Sequence, residues 1–210
     1  MKRLISAVLV GAFAIAIAAC GRPAPSPRSH DAALQRSMGI SDKRNAMPVE
    51  QARALFSGIT ALSYDFGGFA GSGGHGTQIE YLAPDGSTYL WYPGNRNIVV
   101  GGWDVRRSGN KTQMCFRYGP NTYNPVTEES GGKWECIVLS NYMIFQIDRQ
   151  KGDMFGLSES KAVPYRLDRD AAKPWAPRNL PVEMPFIVEG KSVLEHIRDR
   201  GPEPVAGVAG

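Results

Sequence analysis

Thr77-Gln78-Ile79-Glu80-Tyr81-Leu82-Ala83, then Pro84-Asp85-Gly86, then Ser87-Thr88-Tyr89-Leu90-Trp91-Tyr92: this stretch decides the fold. Two runs rich in β-branched and aromatic residues flank a Pro-Asp-Gly turn, the pattern of two antiparallel strands joined by a short loop. In the second run Tyr89 and Trp91 share one face, Leu90 and Tyr92 the other. Outward from this hairpin the same texture recurs. Residues 59–66 precede it, and 97–106, 111–118, 134–140, 142–149 and 161–167 follow as expected strands. Pro93-Gly94-Asn95, Ser108-Gly109-Asn110 and Lys151-Gly152-Asp153 mark further turns. Such connections leave no room for helical crossovers, so neighbouring strands are antiparallel.

The only clear helical pattern before the strands is Pro48-Val49-Glu50-Gln51-Ala52-Arg53-Ala54-Leu55-Phe56. Proline stands in its first turn, Gly58 lies just past its end, and Val49, Ala52, Leu55 and Phe56 fall on one face. The expected fold is therefore mainly β: a small antiparallel β-barrel (or sandwich) of six to eight strands, with a short N-terminal helix and a C-terminal Pro-rich extension. Residues 45–170 form the β domain. Residues 171–210 hold Pro174, Pro177, Pro181 and Pro185, aromatic residues Trp175 and Phe186 that can pin the segment to the domain, a helix capped by Ser192, and a loose tail from Gly201. Val193, Leu194 and Ile197 supply that helix's apolar stripe.

The chain begins MKRLISAVLVGAFAIAIAAC. Lys2 and Arg3 precede sixteen uncharged residues, Leu4 to Ala19, too few for a spanning helix but enough for a signal-peptide core. Ile17-Ala18-Ala19-Cys20 resembles the lipobox of bacterial lipoproteins. That resemblance implies a signal peptide over residues 1–19, a diacylglycerol thioether on Cys20, and acylation of the new amino terminus, palmitate among the chains. Gly21 after the cysteine implies, by the same resemblance, a place in the outer membrane facing the periplasm. The plain alternative is cleavage at Ala16-Ile17-Ala18, with Cys20 a passive thiol. Residues 20–44, anchor and tether, include GRPAPSPRSHD, which has nothing large and apolar to bury.

The whole chain has 24 Lys and Arg against 20 Asp and Glu; without Lys2 and Arg3 the excess falls from four to two, too small for a nucleic-acid partner. Cys115 and Cys136 then form an even pair in an oxidising compartment, each in an expected strand beside the loop of residues 119–133. They are expected to form a structural disulfide.

Little in the sequence carries chemistry. Gly71-Ser72-Gly73-Gly74-His75-Gly76 has the spacing of a dinucleotide loop, but Thr77 to Leu82 alternates like a strand where a helix is required. It reads as a flexible hairpin loop. His30, His75 and His196 are too dispersed for a metal site, so neither metal nor cofactor is expected. Candidate ligand-binding residues are His75 in its glycine loop, Trp91 and Trp103 if they stand at a barrel mouth rather than in the core, and Tyr123 in the 119–133 loop, the best candidate rim. Gly101-Gly102 before Trp103 reads as a bulge or bend.

Residues 55–136 are similar to a family of small secreted alphaproteobacterial proteins of unknown function. The shared phrases are Leu55-Phe56-Ser57-Gly58-Ile59-Thr60, Tyr81-Leu82-Ala83-Pro84-Asp85-Gly86, Gly101-Gly102-Trp103-Asp104-Val105 and Met114-Cys115-Phe116. The resemblance implies a helix-plus-β-barrel envelope domain and carries no activity with it. The expected function is a non-catalytic, lipid-anchored module that binds a small molecule or another envelope protein. The rival is an envelope hydrolase using His75 and acids of the loops, with Asp148 and Asp153, or Glu128 and Glu129, as its acid–base pair.

Overall fold

The structure, a computed structural model, describes residues 41–65, 74–175 and 192–200. The lipobox with Cys20, the tether through residue 40, most of the glycine loop, Phe186, the central prolines of the extension and the tail lie outside the described residues, while residues 41–44, expected as the end of the tether, are helical.

Helix α1 (Val49–Phe56) leads into β1 (Ile59–Asp65). Then come β2 (Gly76–Leu82), β3 (Ser87–Trp91), β4 (Val99–Ser108) and β5 (Lys111–Tyr118). A two-stranded ribbon, β6 (Tyr123–Asn124) with β7 (Glu129–Ser130), interrupts the path to β8 (Glu135–Val138). Helix α2 (Leu139–Ile144), strand β9 (Gln146–Lys151), a 3-10 turn at Lys173–Trp175 and helix α3 (Val193–Arg200) follow. The main sheet has seven strands in the order β8-β5-β4-β3-β2-β1-β9, every pair antiparallel, and it curls into a half-barrel. A register shift between Leu62 and Ser63 bends the β1–β9 edge.

Side-chain alternation assigns each face of the sheet to its own core. Leu62, Tyr64, Ile79 and Trp91 point to one face, where Leu157, Leu167, Ala172 and the α3 residues Val193, Leu194 and Ile197 cover them. Ile59, Ala61, Leu82, Trp103, Val105 and Met114 point to the other, beneath Ala52 and Phe56 of α1 and Leu139 and Met143 of α2. The first is the α3 face of the sheet and the second its α1 face. Phe56 is fully buried, and the Trp103 indole N–H donates to the Ala83 carbonyl at 2.8 Å. Arg53 of α1 pairs with Asp104, and its guanidinium lies 5.9 Å from the Trp103 ring centroid.

Helix α3 has a reciprocal cap. The Glu195 N–H donates to Ser192 Oγ at 3.0 Å, while the Ser192 N–H donates to Glu195 Oε2 at 3.0 Å. Asp148 ties this helix to the sheet: it is 2% exposed and accepts the Leu194 N–H at 3.0 Å. It is therefore a buried structural acid rather than a solvated turn residue. Asp153 does hold a turn, accepting from the N–H groups of Leu157 and Ser158 at 2.8 and 2.7 Å.

Three local expectations are corrected. Residues 142–149 are not one strand; α2 occupies Leu139–Ile144, and the strand starts at Gln146. Residues 161–167 make one bridge, Ala162 with Asn97, rather than a strand. Pro164 has no N–H to give a ladder, and the segment instead packs Val163, Tyr165 and Leu167 onto the α3-face core. Gly101 and Gly102 form no bulge, since β4 pairs with β3 and β5 in unbroken register.

The expected disulfide is present. Cys115 and Cys136 are direct cross-strand partners of β5 and β8, with Cα atoms 4.0 Å apart. It fastens the four-residue edge strand β8, whose departure would carry α2 off the core. Replacing both cysteines by alanine is expected to lower unfolding free energy by about 3 kcal/mol, read as a fall in urea midpoint at constant m. An unchanged midpoint would show that β8 is held without it.

Candidate functional site

Helices α1 and α2 cover only one end of the α1 face. At the other end no helix among the described residues lies above the strands, and the sheet lines an open cleft of about 880 Å³. Alternation fixes what lines it: Ser63 and Asp65 from β1, Gln78 and Glu80 from β2, and Leu90 from β3 with Tyr92 just beyond. From the far side come Val99 of β4, Phe116 and Tyr118 of β5, Glu135 and Ile137 of β8, and Tyr142 of α2. The β6–β7 ribbon forms a rim with Tyr123, Asn124 and Glu129.

Glu80 is the central polar group. The hydroxyls of Thr88 and Tyr118 both donate to its Oε1, at 2.6 and 2.7 Å. The second bond passes over both β3 and β4, from β5 to β2, and Gly101 is the reason it can form. A Cβ there would stand 2.7 Å from both Tyr118 Cδ1 and the Arg117 carbonyl oxygen, so only glycine lets the Tyr118 ring lie against β4. The glycine pair serves close approach, not a bend. Burial raises the Glu80 carboxyl above its ordinary value, against the pull of its two hydrogen bonds. Burial also pushes the phenols of Tyr118 and Tyr142 well up, with the Glu80 charge adding to both, so both stay protonated at neutral pH.

The candidate residues fall into two groups. His75 and Tyr123 line the cleft. Trp91 and Trp103 do not; they are 0% and 3% exposed and fill the α3-face and α1-face cores. Trp91 packs edge-on against Phe155 and Tyr165, at 5.3 and 4.6 Å between ring centroids. Tyr123 is 61% exposed on the rim, so the 119–133 loop does border the cavity. The His75 ring sits edge-on to Tyr92 at 5.4 Å, and its Nδ1 is buried without a hydrogen-bond partner among the described residues. Burial lowers its pKa, with Asp65 opposing and Arg169 adding to the fall. Asp65 accepts the backbone N–H of His75 at 2.9 Å. Of the loop acids only Glu129 lines the cavity; Glu128, Asp148 and Asp153 lie elsewhere.

Glu80, Tyr118 and Tyr142 were not singled out from sequence, although the hairpin register contained a signal. Glu80 stands directly opposite Leu90, on the same face as Leu82, so a carboxylate interrupts a face that is otherwise to be covered. Among the described residues, no group of three or more His, Cys, Asp or Glu side chains is placed to hold a metal ion. Nor is any helix there long and apolar enough to cross a membrane. No known protein family, curated protein or solved structure matches the chain.

The raised Glu80 carboxyl has a consequence for stability. Between the ordinary carboxyl value and the raised one, the folded chain holds a proton that the unfolded chain has released. The stabilisation from that proton is full below the ordinary value and is lost as pH rises through the raised value. Glu80→Gln keeps an Oε1 acceptor for Thr88 and Tyr118 and removes the buried charge. Thermal melts from pH 4 to pH 8 are expected to show the variant gaining on the parent as pH rises, with the smallest difference at pH 4. A difference independent of pH would refute the buried-charge account.

Proposed function

We propose that the chain is a lipid-anchored binding module of the cell envelope that holds a small molecule in the cleft around Glu80. The carrying observation is the cavity itself: about 880 Å³, built on the regular strands of a sheet, with rings and aliphatic side chains around a few converging polar groups. Sites for small molecules have this size and composition. Rigid strands, rather than the ribbon, carry Glu80 and Tyr118, so the polar groups are held in place before a ligand arrives. The reading of residues 1–20 as a lipoprotein signal supports attachment through Cys20, with the tether giving the domain reach from the outer membrane into the periplasm.

Two measurements test the two halves. A fragment screen by 15N-edited NMR is expected to give shifts clustered at Glu80, Leu90, Tyr118 and Tyr142. Gln78→Trp, which puts a large ring into the cavity from β2, is expected to abolish them while leaving the remaining spectrum folded. Shifts that persist in this variant would move the binding site elsewhere. Cells fed labelled palmitate are expected to label the parent chain and not Cys20→Ser; an unlabelled parent would remove the anchor.

A further inference from the structure

The charge lining the cleft runs against that of the whole chain. The chain carries a net +4, yet the cleft is lined by four carboxylates, Asp65, Glu80, Glu129 and Glu135, against one guanidinium, Arg96. His75, its pKa lowered by burial, adds no charge at neutral pH. Among the described residues, Glu80 has no Lys or Arg partner; its two bonds come from neutral hydroxyls. A carboxylate held in such a place is stabilised most by a cation brought from outside. Tyr92, Phe116, Tyr118 and Tyr142 line the same cleft, and aromatic rings are attractive neighbours for a cation.

A second observation is independent of the acids. Gln146 is 1% exposed, and neither its Oε1 nor its Nε2 forms a hydrogen bond of ordinary geometry among the described residues. It is the register partner of Ser63 and therefore stands on the cleft side of the sheet. Its amide is near enough to the Tyr142 hydroxyl to offset part of that phenol's upward shift, and Tyr142 also feels the Glu80 charge. The amide oxygen has no donor among the described residues, and a buried acceptor left so costs free energy. An ammonium group has three N–H donors, enough to serve a carboxylate and an amide oxygen together.

From this arrangement, and resting on the reading of the cleft as a ligand site, we infer that its ligand is a protonated organic amine carried on an apolar or aromatic body. The ammonium pairs with Glu80 and donates to the Gln146 carbonyl; the body lies against Phe116, Ile137 and Leu90. Neutral molecules of the same shape gain only the second set of contacts. Anions meet the acids and are repelled.

Three probes of one shape separate these cases: tryptamine, tryptophol and indole-3-propionate, titrated into the 15N-labelled mature domain at pH 7.5. Tryptamine is expected to bind at least tenfold more tightly than tryptophol, and indole-3-propionate more weakly than either, with shifts at Glu80, Tyr118, Tyr142 and Gln146. In Glu80→Gln the tryptamine-to-tryptophol ratio is expected to fall to about one. In Gln146→Leu, which retains the volume, tryptamine is expected to lose several-fold in affinity. Equal binding of all three probes to the parent, with shifts in the cleft, would overturn the amine inference and leave the cleft a binding site. Absence of any shift up to millimolar concentrations, or shifts unaffected by Gln78→Trp, would overturn both.

Discussion

A strand presents side chains to two sides, and in β1 to β3 both sides have to be covered. This requirement organises the molecule. Leu62, Ile79 and Trp91 commit one face to the chain's C-terminal third, and α3 closes that core through Val193, Leu194 and Ile197. Ala61, Leu82 and Trp103 commit the other face to α1 and α2. The two layers are unequal in reach. α1 has eight residues and α2 six, about 12 and 9 Å of helix, while β4 alone extends over ten residues, about 33 Å. The helices run out before the strands do. The cleft is the length of sheet they leave uncovered.

That mismatch makes the cleft's polar content intelligible. An uncovered apolar face of several strands would be an aggregation surface. Here the positions beyond the helices change character along each strand: Ile59 and Ala61 give way to Ser63 and Asp65, Leu82 to Glu80 and Gln78, and Met114 to Tyr118. Glu80 marks the boundary. It sits next to the covered core, has hydroxyls as its hydrogen-bond partners, and is reached by Tyr118 because Gly101 contributes no side chain between them.

Legibility in the sequence followed the range of the interactions. The hairpin over residues 77–92, the α1 pattern, the Ser192 cap and the Cys115–Cys136 pair are visible because each is written in neighbouring residues or in a compartment's redox chemistry. Residues 161–167 do send Val163, Tyr165 and Leu167 toward the core, Leu167 buried and the other two half-buried, but that pattern does not tell a ladder from an unpaired strap, a difference carried by Pro164 and by the partner strand. Helix α2 was hidden for the opposite reason. Six residues make under two turns, and Leu139, Met143 and their neighbours are apolar enough to satisfy either period. The cleft was hardest to see. It depends on where α1 and α2 stop over a sheet whose order begins with β8 and ends with β9, and no local window holds both helices and both edges.

The acidic balance of the cleft is not a by-product of composition, because the chain as a whole leans the other way. Nor is it needed for folding. Thr88 and Tyr118 could satisfy their hydroxyls on a neutral amide, and such a group at position 80 would avoid the cost of burying a charge. A glutamate there costs stability when ionised, a cost that protonation or a cationic ligand would relieve. Gln146 follows the same logic with a neutral group, since its amide is buried with the Tyr142 hydroxyl beside it and its oxygen has no donor among the described residues. Two independent costs placed against one cavity are hard to account for as packing, and they have one remedy in common: a ligand that brings both charge and donors.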